Sequence, residues 1–112
     1  MRMSHGFETI AEGAVGTPYG HVPGHHYHDV IVAVGQRGQQ YRAVALEVWG
    51  SCQGRDEEHG RVKVIARNTD ARAALREVLR RAQDTMQDAE AKQFLPQAAS
   101  VCEDELEDAL EQ

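Results

Sequence analysis

The sequence predicts a small α+β domain: a three-stranded antiparallel sheet followed by two C-terminal helices, in the order β-β-β-α-α, behind an irregular N-terminal arm. Three observations lead to this class. Residues 28–67 contain apolar runs of strand length separated by glycine-bounded turns. From Ala71 onward the apolar period changes from two to about 3.6 residues. Residues 1–25 hold five glycines and two prolines and show little period. The expected organisation is therefore an irregular Gly/Pro/His-rich arm over 1–25, with one short strand near Phe7–Ile10, and a single α+β domain over 26–112 that ends in an acidic helix.

Each element has its own signal. HDVIVAV, from His28, is apolar on both faces, as in a central strand. Gly35-Gln36-Arg37-Gly38 reads as a turn. QYRAVALEVW then places Val44, Leu46 and Val48 on one side and Tyr41, Ala43, Ala45, Glu47 and Trp49 on the other. RVKVIAR sets Val62, Val64 and Ala66 against Arg61, Lys63, Ile65 and Arg67, the pattern of a half-solvated antiparallel strand. Asn68-Thr69-Asp70 supplies N-cap candidates. Ala71, Leu75, Val78, Ala82, Met86 and Ala89 form one helical stripe. Pro96 is expected in the first turn of the second helix, whose stripe is Ala98, Cys102, Leu106 and Ala109.

At 112 residues the chain fits one domain with a core of its own. No apolar run approaches the roughly 20 residues of a membrane span, and Met1–Gly13 has no apolar signal region. Two cysteines fifty positions apart do not make a disulfide scaffold, which favours a reducing cytoplasm. The net charge of −6 is unevenly spread: residues 1–69 carry seven acids and seven bases, whereas 70–112 carry eleven acids and five bases. The last ten residues hold six acids and no base.

Three groups of residues invite a chemical reading. Gly50-Ser51-Cys52-Gln53-Gly54 has the spacing of a nucleophile elbow, with His59 downstream. An elbow turns a strand into a helix, however, and RDEEH has no apolar stripe before Gly60 and the next strand. A hairpin loop is the expectation, and no enzymatic role is assigned to Cys52. His21, His25, His26 and His28 fall within eight residues. In a strand His26 and His28 share a face, a geometry that suits a divalent transition metal. Gly20, His26 and His28 are similar to the first metal motif of cupins, but Val32 and Ala33 stand where that motif has a Glu, and the second motif is absent. Arg72, Arg76 and Arg80 repeat every four residues as a ridge on the first helix, a possible track for phosphates. The negative net charge and the few aromatics weigh against nucleic acid.

The function these features suggest is non-enzymatic: a small cytoplasmic regulatory module that binds a protein partner or a second copy of itself. Its expected contact surfaces are the 50–60 loop, through Asp56, Glu57, Glu58 and His59, and the acidic C-terminal helix, through Glu103, Asp104 and Glu107. No cofactor is required. The alternatives are metal binding by the His21–His28 segment, nucleic-acid binding along the arginine ridge, and acidic inhibition of nucleic-acid machinery.

Overall fold

The structure, a computed structural model, describes residues 6–17, 23–52 and 56–112. Its elements run β1 (Glu8–Gly16), β2 (His26–Arg37), β3 (Gln40–Cys52), β4 (Asp56–Asn68), α1 (Ala71–Thr85) and α2 (Ala89–Leu110). The class is α+β, as the sequence predicts, but the sheet has four strands where three are expected. The additional strand, β1, lies in the segment read as an irregular arm; it overlaps the short strand expected near Phe7–Ile10 but runs on to Gly16 and joins the sheet. It pairs antiparallel with β2 from Glu8↔Gln36 to Gly16↔Asp29 and carries a bulge at Ile10. Two glycines and that bulge break the alternation on which a strand assignment from sequence depends.

The four strands form a meander in the order β1-β2-β3-β4. Between β2 and β3 the turn is at Gly38, which takes a positive φ of 61°. Gly35 remains in the ladder opposite Arg42. Val30, Val32 and Val34 of β2, Ala43 and Ala45 of β3, and Val64 and Ala66 of β4 point to one face, here called inner, and are buried there. Both helices pack on this face. α1 covers β3 and β4, and α2 covers β1 and β2. Full burial of a valine stabilises by about 1.5–3 kcal/mol, so the three β2 valines anchor the core.

Asp70 begins α1, its carboxylate accepting from the Arg72 and Ala73 N–H groups. α1 then buries Ala71, Ala74, Leu75, Val78 and Ala82, and ends at the buried Met86. The second helix starts earlier than expected. Asp88 caps it, and Pro96 sits inside rather than in its first turn. Burial of Ala91 and Leu95 fixes the first two turns against the sheet, and this outweighs the hydrogen bond that proline cannot donate. α2 lies so close to β1 that a Cβ at Gly13 would run into the Ala98 carbonyl.

The opposite, outer face of the sheet carries Ile31, Val44, Leu46, Val48 and Ile65, all half-buried, and no described helix covers it. Phe7 packs there on Ala33 and Val44.

Candidate functional site

Three regions hold the candidate residues: a cleft at one end of the inner face, the outer face of the sheet, and the exposed surface of the two helices. The cleft, about 500 Å³, opens where α1 ends and α2 begins, over the His26 end of β2. Register explains its chemistry. His28 lies opposite Trp49, so Glu47, two residues earlier on β3, is its diagonal neighbour on the inner face. Glu47 has a side-chain exposure of 3% and His28 of 12%. A carboxylate so enclosed needs a partner, and His28 Nε2 donates to Glu47 Oε2 at 2.6 Å.

The other ring nitrogen faces α2. His28 Nδ1 stands 3.2 Å from Glu90 Oε2 and 3.8 Å from Asp88 Oδ1. Asp88 also accepts from the Glu90 N–H at 2.8 Å, as the cap of α2. The His28 ring is flanked by Trp49, 6.0 Å away centroid to centroid, and by Phe94 at 6.5 Å.

His59 reaches the same cleft by a different device. Between Trp49↔Gly60 and Gly50↔Glu58 the β3–β4 ladder slips by one residue, leaving His59 as the bulge. Its Nε2 shares a hydrogen bond of 3.0 Å with Ser51 Oγ, and its ring meets His26 edge-on at 6.4 Å. His26 and His28 therefore share a face and a cleft, as their spacing predicts. Asp29 lies on the outer face, against Gly16. His25 is exposed near the start of β2, and its carbonyl accepts from Cys52 N–H at 3.0 Å. His21 lies outside the described residues, as does the side chain of Asp56.

Sequence reasoning overlooked Glu47, Asp88 and Glu90. Glu47 appeared as one polar position in an apolar row, and a buried acid in such a row is itself a signal of a partner. Asp88 and Glu90 were hidden by the misplaced start of the second helix.

The 50–60 segment is a β-hairpin rather than an elbow, but its strands extend further than a long loop would allow. Gly50, Ser51 and Cys52 pair with Glu58, Glu57 and Asp56. Ser51, Cys52 and Cys102 are buried, and neither cysteine is in a disulfide. Glu57 and Glu58 are exposed, and Glu58 forms an ion pair with Arg61.

The arginine ridge and the acidic helix meet within the chain. Arg72 Nε donates to Glu107 Oε1 at 2.7 Å, and a second bond joins the same two groups. This contact holds the Glu107 carboxyl below its ordinary range and raises the Arg72 guanidinium. Arg80 is paired with Glu77 at 2.8 Å. Glu103 and Asp104 are exposed on α2. Arg61, Lys63 and Arg67 alternate onto the outer face of β4, so the sheet separates them from the helix ridge and no single basic stripe forms.

On the outer face Arg37, Arg42 and Arg67 surround the Phe7 ring, at 5.1, 5.9 and 5.8 Å from its centroid. Arg42 is buried there, and desolvation, then the nearby Arg67 charge, lowers its pKa. With Lys63 and Arg61, Arg67 borders the half-buried aliphatics on their β4 side. Among the described residues no helix is long and apolar enough to cross a membrane.

A scan against protein-family models, a search of curated proteins and a search of solved structures each found no match for the chain.

Proposed function

We propose that the protein is a small non-enzymatic binding module that docks a protein partner on the outer face of its sheet. The observation that supports this reading is the aliphatic row Ile31, Val44, Leu46, Val48 and Ile65, uncovered by either helix and bordered by Arg61, Lys63 and Arg67. An apolar floor with a charged border is how partner surfaces are commonly built, the floor supplying affinity and the border orientation. Arg61 already holds Glu58, so Lys63 and Arg67 carry the border's preference for a partner with carboxylates around an apolar centre. The 50–60 hairpin is a smaller contact than its sequence suggests, because Ser51 and Cys52 are buried and His59 turns into the cleft. The acidic helix stays in the proposal as a second contact through Glu103 and Asp104. Nucleic acid ranks lower, because Arg72 and Arg80 already hold carboxylates of the same chain.

The test is affinity capture from the source cell with the full chain and two variants, Leu46→Glu and Lys63→Glu, each shown to be folded by circular dichroism. Wild type is expected to retain a partner that Leu46→Glu loses and Lys63→Glu binds about tenfold more weakly in purified form. Equal retention by wild type and Leu46→Glu would reject the outer face. Loss on Glu103→Lys/Asp104→Lys alone would move the contact to α2.

A further inference from the structure

Three acceptor atoms from two distant stretches of chain converge at the mouth of the cleft. They are His28 Nδ1, an Asp88 oxygen and a Glu90 oxygen, all within 4.8 Å of one another. The hydrogen bond to buried Glu47 assigns the proton to His28 Nε2, because a carboxylate can only accept. Nδ1 then turns a lone pair toward two carboxylates. A cation among them, either a second proton on the ring or a metal ion, would offset the repulsion of these three acceptors. A proton on Nδ1 would satisfy Glu90 at 3.2 Å but not Asp88, which at 3.8 Å is beyond hydrogen-bond reach. A metal ion would engage both carboxylates, Asp88 Oδ1 keeping the Glu90 N–H that already donates to it. Donor atoms that share an ion at about 2.0–2.2 Å lie about 3.0–3.6 Å apart, close to these separations.

We propose that His28, Asp88 and Glu90 bind a first-row divalent transition-metal ion, with Glu47 as the buried carboxylate that orients the histidine. One imidazole and two carboxylates suit Zn²⁺, Mn²⁺, Fe²⁺ or Co²⁺. Ca²⁺ and Mg²⁺ prefer all-oxygen sets, and Cu(I) prefers sulfur. A ligating histidine whose second nitrogen is held by a carboxylate is fixed in tautomer and ring orientation, and Glu47 does this for His28. Three protein donors leave further coordination positions open to the cleft. The site is built by β2, β3 and the start of α2, and it uses neither His25 nor His26. It is also independent of the outer face, which lies across the sheet.

The test uses the full chain, stripped of metal and titrated with Zn²⁺ alone by calorimetry, and with Co²⁺ followed by fluorescence. Trp49 is the only tryptophan, 6.0 Å from the His28 ring, so bound Co²⁺ should quench it. One ion per chain is expected. Asp88→Asn, which preserves the helix cap, and Glu90→Gln are surface changes that should leave the fold intact and weaken Zn²⁺ binding at least about tenfold each. Glu47→Gln should weaken it about 10–100-fold. Absence of stoichiometric uptake by wild type would overturn the proposal. So would uptake insensitive to Asp88→Asn and Glu90→Gln but lost on His25→Ala/His26→Ala, which would place the ion at the start of β2.

Discussion

Cys102 sits fully enclosed where α2 meets β1. Burial, with smaller contributions from Glu105, Glu103 and Glu12, pushes its thiol from an ordinary 9.0 up to about 12. The folded thiol keeps its proton between those values, whereas the unfolded one loses it. The contribution of Cys102 to stability is thus complete below about pH 9 and falls as pH rises toward 12, by about 1.4 kcal/mol per pH unit. Urea midpoints at pH 8 and pH 10.5 should differ more for wild type than for Cys102→Ala. An equal difference would mean that the thiol is not shielded. Next to it, Gly13 has no room for a side chain, since a Cβ there meets the backbone of α2 at Ala98 and Cys102. Gly13→Ala should lower stability by about 1–3 kcal/mol, read as a drop in the urea midpoint. Nothing in the sequence marks Gly13 apart from the other glycines of the first 25 residues. Its role arises from a helix eighty-five positions later.

Among elements, α2 shows how far the sequence can be read. Its C-terminal stripe, Ala98, Cys102 and Leu106, is buried as the period predicts. Its start is not where Pro96 suggests, because a proline rule is local and the burial of Ala91 and Leu95 is tertiary. That one displacement concealed two of the three proposed metal donors, since Asp88 and Glu90 look like linker acids until α2 begins at Ala89. The His26–His28 pairing, by contrast, was legible from strand alternation alone. Pro96 is exposed and removes one helical hydrogen bond, so Pro96→Ala should raise stability, by up to about 3 kcal/mol, without touching the core. A urea midpoint that stays level or falls would show that the ring is a stabilising part of the helix.

For the molecule as a whole, the long dimension of 44 Å is the length of its 13-residue strands. The sequence shows that β2 and β3 are apolar on both faces. It does not show that both helices choose the same one, because either row of β3 offers a partner surface. Ala43 and Ala45 decide it: small residues let α1 approach the middle of the sheet, while the bulkier Val44, Leu46 and Val48 face outward. The division of labour between the helices has a consequence for biosynthesis. Chain order and covering order run in opposite directions, since α1 seals β3 and β4 while α2 returns to seal β1 and β2. As the chain leaves the ribosome, the strand made first waits longest for its cover. The inner row of Ala11, Gly13 and Val15 stays open to water, and to other chains, until residues 89–110 have followed it out.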